Sequence, residues 1–199
     1  MEILRYSLGS LQANCYLLIE ENECLIIDPA DEASFILTEL QRRRLRLAGM
    51  LATHGHFDHI MAAGEIQLSF KIPLQIFKED LFLVERPNET AKYFLGFDPN
   101  SLKPKDLKFI KEGELKTGDF KMKTIHTPGH TPGSACFYFP KSKTLFTGDT
   151  LFKDGIGSYD HSYSNKKELF SSVSKILKMP GETTVYPGHG ERTTISQEK

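Results

Sequence analysis

Apolar and polar positions in this chain recur with two different periods, and each switch between them marks an element. Two short apolar runs, Asn14–Glu20 and Glu23–Asp28, flank Glu21-Asn22 and predict an antiparallel hairpin. Asp28-Pro29-Ala30-Asp31 breaks the second strand. Asp31 can cap a helix reaching about Arg44, with Phe35, Ile36, Leu37 and Leu40 on its inner face. Arg42-Arg43-Arg44 then falls at the helix C-terminus, where cations are favoured. Leu47–Thr53 reads as a strand, Asp58 to Phe70 as a helix, Ile72–Ile76 as a strand and Lys78–Glu85 as helical. From Arg86 to Lys105 the periodicity lapses, with Pro87, Pro99 and Pro104 as breakers and Tyr93, Phe94 and Phe97 as an aromatic cluster. The excursion over 78–105 is expected to be either a surface loop or a lid that covers a site with Phe94 or Phe97. Strands follow at Lys108–Ile110, Phe120–His126, Ser134–Phe139 and Thr144–Thr147, then a helix near Lys166–Leu177 and a strand Thr183–Tyr186.

Strands and helices thus recur in two halves, roughly 1–76 and 106–190, with no low-complexity linker between them. The order predicts an α/β chain forming one domain over residues 1–199, two sheets packed together with helices on the outer faces. Composition agrees with a folded chain: 199 residues, 39% hydrophobic and 26% charged, which excludes disorder, collagen-like repeats and a fibrous coiled coil. Lys plus Arg number 25 against 26 Asp plus Glu, so there is no basic excess of the kind that nucleic acid selects for. The longest apolar runs, such as Cys15–Ile19 and Cys24–Ile27, are too short to span a bilayer. Met1-Glu2-Ile3-Leu4 does not read as a signal peptide, so a cytoplasmic location is expected. Cys15, Cys24 and Cys136 are odd in number and lack C-x-x-C spacing, which predicts small buried hydrophobes rather than a disulfide.

Three of the seven histidines crowd into Thr53-His54-Gly55-His56-Phe57-Asp58-His59. In an extended segment, residues two apart point the same way, so His54 and His56 can share one metal ion. Asp58 and His59 follow at the start of the expected helix and face elsewhere, which suits a second ion beside the first. Imidazoles with carboxylates favour zinc, or iron and manganese, over calcium or magnesium. Further ligands should come from loops that follow strands. Three such loops qualify: Thr127-Pro128-Gly129-His130-Thr131-Pro132-Gly133-Ser134, Thr147-Gly148-Asp149-Thr150 and Pro187-Gly188-His189-Gly190. His126 reads as a hydrogen-bonding residue behind the ligands. Asp28 reads either as a brace for the ligand loop or as a turn cap. His161, in the polar loop Asp160–Asn165, reads either as a surface residue or as part of the lining of a substrate pocket.

In the order His54-x-His56-x-Asp58-His59, His130, Asp149 and His189, these motifs resemble the metallo-β-lactamase-fold hydrolases of the glyoxalase II-like branch. The resemblance covers most of the chain. It implies a four-layer αββα sandwich of two mixed sheets and two divalent transition-metal ions, zinc foremost. One ion would take His54, His56 and His130, the other Asp58, His59 and His189, and Asp149 would bridge them. It further implies that a hydroxide shared by the two ions attacks a carbonyl, with Asp58 orienting it, and that a small-molecule thioester is the substrate.

The variants of the motif bear on the reaction. By the same resemblance, true β-lactamases of this fold lack the bridging acid, so Asp149 argues against lactam hydrolysis. Flavo-diiron relatives carry a carboxylate where His56 stands, and RNA-processing relatives carry basic surfaces. Glutathione-thioester hydrolases place a Lys and a Tyr nine and eleven residues beyond the bridging acid. Those positions hold Ser158 and Asp160 here, with Tyr159 between them. A full glutathione clamp is therefore not expected. The rival is a persulfide dioxygenase with a single iron on His54, His56 and His130 or a related subset. Such relatives show Gly-Arg-Thr-Asp where this chain has Gly157-Ser158-Tyr159-Asp160.

Overall fold

The computed structural model describes residues 1–199. Its first sheet contains β1 (Glu2–Leu8), β2 (Ala13–Glu20), β3 (Glu23–Ile27), β4 (Arg46–Leu51), β5 (Leu74–Phe77) and β6 (Leu107–Ile110), in that spatial order. The β1–β2 and β2–β3 pairs are antiparallel, and the remaining pairs are parallel. The second sheet is built from β7 (Gly113–Thr117), β8 (Phe120–His126), β9 (Ala135–Phe139), β10 (Thr144–Gly148), β13 (Thr184–Pro187) and β14 (Thr193–Thr194). It runs β14-β13-β10-β9-β8-β7, with β10–β13 its one parallel pair. A small hairpin of β11 (Leu151–Phe152) and β12 (Gly155–Ile156) stands apart.

The periodicity of β2 explains the layering. Seven of its eight residues are buried because both faces of the strand are covered. Cys15, Leu17 and Ile19 point to the helical side, where Ile36 and Leu40 of α1 (Ala33–Arg42) and Ile66 of α3 (Ala63–Ser69) meet them. Tyr16 and Leu18 point inward and pack with Phe120, Phe137 and Phe146 of the second sheet. The far face of that sheet buries Cys136, Leu145 and Val185 beside Ile176 of α6 (Lys166–Leu177). The result is helix, sheet, sheet, helix, two mixed sheets with helices on both outer faces. All three cysteines are free and buried.

Several expectations shift in detail. Asp31 does not cap α1; Glu32 holds the N-cap position with a left-handed backbone and no side-chain cap, and Asp31 Oδ1 accepts only the Glu32 N–H. The helix expected over Asp58–Phe70 divides into α2 (Phe57–Ile60) and α3. Lys78–Glu85 becomes a 3-10 turn (Lys78–Asp80) followed by α4 (Leu81–Val84). Lys108–Ile110 belongs to the edge of the first sheet, not to the second half. The stretch without periodicity contains α5 (Pro87–Leu95), started by a proline at its first turn and closed by Gly96 at φ +78°. No helix is long and apolar enough to cross a membrane.

Candidate metal centre

All seven expected ligands lie at one edge of the sandwich, beyond the C-terminal ends of strands, five in loops and Asp58 and His59 in the short helix α2. His54, His56, Asp58 and His59 follow β4, His130 follows β8, Asp149 follows β10 and His189 follows β13. The two sheets are tied together at this edge. The Ala135 N–H donates to the Thr53 carbonyl at 2.8 Å, joining the His130 loop to the His54 loop. At the start of β2, the Asn14 N–H donates to Gly188, and the side chains of Asn14 and Tyr16 donate to the Pro187 carbonyl. These bonds set the loop that carries His189. A side chain at Gly188 would collide with Asp149 Oδ1, so only glycine allows this close approach.

The donor atoms converge as three overlapping groups: His54, His56 and His130; His54, His59 and Asp149; and Asp58, His59 and His189. Within each group the donor atoms lie no more than 4.8 Å apart. Asp149 spans them. Its Oδ1 is 3.5 Å from His59 Nε2 and its Oδ2 is 3.5 Å from His130 Nε2. His189 Nε2 lies 3.3 Å from both Asp58 Oδ2 and His59 Nε2, and His56 Nδ1 lies 3.1 Å from His130 Nε2.

Hydrogen bonds behind the rings decide which nitrogen faces inward. Thr53 Oγ1 has one proton and gives it to Asp28 Oδ2 at 2.7 Å. It must therefore accept from His54 Nδ1, 3.1 Å away, which leaves the lone pair of His54 on Nε2. Asp28 also accepts the Thr53 N–H and the His59 Nδ1–H, at 2.7 and 3.0 Å. Asp28 is thus a brace for the ligand loop, one of the two roles expected of it. His130 Nδ1 donates to the Ser158 carbonyl at 2.7 Å, and His56 Nε2 lies 2.8 Å from the Tyr163 hydroxyl. His126 stacks on Phe77 and bonds the Pro132 carbonyl at 2.9 Å, steadying the His130 loop from behind, as expected.

Two buried atoms test whether divalent ions suit this donor set. His54 Nε2 and Asp149 Oδ1 are fully enclosed and have no hydrogen-bond partner. Such atoms are costly unless something in the cluster engages them, and a cation does. The electrostatics agree. Burial opposes charge on His59, yet Asp58, Asp149 and Asp28 outweigh it and push the imidazole up to about 10. Burial also works against the Asp58 carboxylate, but His59 and His189 hold it far below the usual carboxylate range. His54 and His56 are held neutral, mainly by burial and then by neighbouring imidazoles. Neutral imidazoles and ionised acids are the forms that bind metal, so His54, His56 and Asp58 stand ready, and an ion would displace the proton that the carboxylates hold on His59. The cluster can hold divalent metal ions.

Two residues were not foreseen in these roles. Asp80, buried at the end of the 3-10 turn, accepts the Gly55 N–H (2.8 Å), the Gly133 N–H (2.6 Å) and the Thr131 hydroxyl (2.7 Å), linking the two main ligand loops. Nothing local marks Asp80 in a charged stretch such as Lys78-Glu79-Asp80; only the fold brings it between the loops. Tyr163 is the second. His161 takes the second of the two places expected of it: it lines the cleft, stacks on Tyr163 and sits edge-on to His56, with ring centroids 5.2 Å apart. Phe94 of α5 lines the cleft in front of the cluster, whereas Phe97 does not and is largely exposed.

Comparison with known proteins matches residues 8–189 to the family model described as the metallo-beta-lactamase superfamily. Hydroxyacylglutathione hydrolase GloC of Haemophilus influenzae is 38% identical over 194 residues, spanning 96% of this chain and 91% of that protein. Among solved structures, the BLEG-1 B3 metallo-beta-lactamase superposes with a TM-score of 0.92 at 35% identity, covering 99% of this chain and 96% of its own. TTHA1623, solved in a di-iron-bound form, superposes with a TM-score of 0.91 at 35% identity, covering 98% and 96%.

Proposed function

This chain belongs to the metallo-beta-lactamase superfamily, and from that premise we propose that it is a metal-dependent thioester hydrolase resembling hydroxyacylglutathione hydrolase in chemistry but without the full glutathione clamp. In this reading His54, His56 and His130 hold one divalent transition-metal ion, zinc foremost, and Asp58, His59 and His189 hold another. The observation that carries it is Asp149, whose two oxygens face His59 and His130 at equal distances and so can serve both sites. When bound, such a pair of ions supplies Lewis acidity and an acidified water at neutral pH.

The chain's own residues do the rest. Asp58, kept ionised beside His189, can accept a hydrogen bond from the attacking water and fix its direction. The bonds from Thr53, Asp28 and Ser158 hold His54, His59 and His130 in the orientation that leaves their Nε2 atoms free. Leu11, Phe57, Phe94 and Phe152 line the cleft and keep bulk water from the substrate. No serine or cysteine nucleophile is required: all three cysteines are buried, and burial pushes their thiols up.

Metal analysis together with a substrate panel tests this reading. Purified protein is expected to carry close to two metal ions and to hydrolyse acyl thioesters, with activity lost to a chelator and restored by zinc. One iron per chain with oxygen uptake on a persulfide would replace it with the dioxygenase. Faster turnover of a cephalosporin than of any thioester would replace it with lactam hydrolysis, the activity for which the BLEG-1 B3 metallo-beta-lactamase is named.

A further inference from the structure

The cleft in front of the metal cluster deepens the thioester reading, on which the choice of its occupant rests. We propose that this cleft accepts an uncharged, apolar group flanking the scissile bond, and that Phe94 is the residue that selects for it.

The cleft encloses about 400 Å³, and its outer wall is made by Leu11, Phe57, Phe94 and Phe152. Apart from the metal-cluster residues and His161, its polar lining is Thr90 and Ser158, both uncharged. No lysine or arginine lines it. Lys153, next in the chain to Phe152, pairs with Glu191 at 2.8 Å, and Arg5 donates to the carbonyl of Gly190, next to His189. A carboxylate on the substrate tail, away from the ions, would shed water against these walls and meet no lysine or arginine. An alkyl or aryl tail would cover apolar surface that the fold leaves open.

Phe94 is placed to read that tail. Ala91, one turn earlier on α5, is buried with Phe57 and Met61, which seats the helix against α2. The Phe94 ring stacks on Phe57 at 6.2 Å with planes 23° apart, and meets His161 edge-on at 5.9 Å. Even so, Phe94 remains 49% exposed and Leu11 41% exposed. Two apolar side chains facing the same cleft, neither consumed by the core, form a surface that a ligand completes. Asn88 and Ser101 exchange three hydrogen bonds across the base of the excursion, so the segment bearing Phe94 is fixed at both ends.

Calorimetry on zinc-loaded protein tests this without relying on turnover. Two metal-anchored series are titrated, alkyl hydroxamic acids and alkanethiols, each lengthened by one methylene at a time. Affinity is expected to rise about threefold per methylene in at least one series. That increment should shrink to near unity in Phe94→Ala and persist in Phe94→Leu, which keeps an apolar side chain. A distal carboxylate should weaken binding at least tenfold relative to its neutral isostere. Flat affinity in both series, an increment untouched by Phe94→Ala, or preference for the carboxylate would each overturn the proposal. A parallel set of thioesters separates the two readings. An intact methylene increment with no thioester turned over removes the thioester reading and leaves the cleft assignment standing. Turnover with flat affinity does the reverse.

Discussion

The Nδ1 of His59 lies 3.0 Å from Asp28 Oδ2, and this contact turns the Nε2 of the same ring toward Asp149 and His189. Asp28 does this from a left-handed backbone position, φ 51°, at the end of β3, while its other bonds fix Thr53 at the head of the ligand loop. Asn tolerates that conformation better than other replacements, so Asp28→Asn keeps the backbone and changes the chemistry. The amide offers a donor where the imidazole N–H needs an acceptor. Metal affinity measured by competition with a chelating dye should fall roughly 10- to 100-fold. Unchanged affinity would show that the imidazole orientation is set elsewhere.

Asp149 makes a sharper case because in the proposed reading one side chain serves two sites. Asp149→Asn preserves volume against Gly188 but leaves only one oxygen able to ligate. Elemental analysis after desalting should show the metal content dropping from about two ions toward one, and thioester turnover should fall by about two orders of magnitude. Retention of two ions with near-normal turnover would refute the shared carboxylate.

The candidate ligands stood out in the sequence because metal binding demands particular atoms in close array, and His54 through His59 compress four of them into six positions. The strands were readable for a related reason: β2 and β3 are covered on both faces and show it as unbroken apolar runs. The edge strand β7, with exposed Glu114 and Lys116, gives no such contrast. Helix α5 was hidden by Pro87, which reads as a breaker but stands at the first helical turn, where its missing N–H costs nothing. Asp80 and Tyr163 were hidden because their roles depend on segments that meet only after folding, with 51 residues separating Asp80 from its partner Thr131. Acidic and aromatic residues in loops look alike until the fold assigns them neighbours.

Metal-free protein should lose stability as pH rises from about 7 to 8.5. His59 is pushed up to about 10 from the free imidazole's 6.5, so the folded state holds a proton that the unfolded state releases. That contribution is complete below about 6.5 and is lost as pH climbs toward 10. His189 is shifted in the same direction, with Asp58 and Asp149 outweighing its burial. His54 and His56 are shifted the other way, but their effect is confined to more acid pH, where unfolded imidazoles protonate and these two do not. Thermal melts in chelator should therefore show Tm falling over this window. In zinc-loaded protein, where His59 is a neutral ligand, the fall should vanish or reverse. A Tm that rises with pH in the chelated protein would contradict the charge balance assigned to the cluster.

Asp80 offers a test of whether the two ligand loops are held together from outside the cluster. Its buried carboxylate receives Gly55, which lies between His54 and His56, and both Gly133 and Thr131, which come after His130. Burial raises its pKa even though these donors pull the other way, which is the mark of a group confined by its surroundings. Asp80→Ala would strand the Gly55 and Gly133 N–H groups in a dry site and leave the Thr131 hydroxyl only Ser134, at a cost of about 3 kcal/mol in the stability of the metal-free protein. Asp80→Asn keeps one acceptor oxygen and should cost less, because only the amide nitrogen then faces a donor. The loops carry three ligands of one site, so zinc affinity should weaken there first. Stoichiometric titration should then show one tight and one loosened ion rather than uniform loss. Denaturant melts separate the stability effect from the metal effect. Equal loosening of both ions, or a stability loss with neither ion affected, would show that Asp80 supports the fold without setting the His54, His56 and His130 triad.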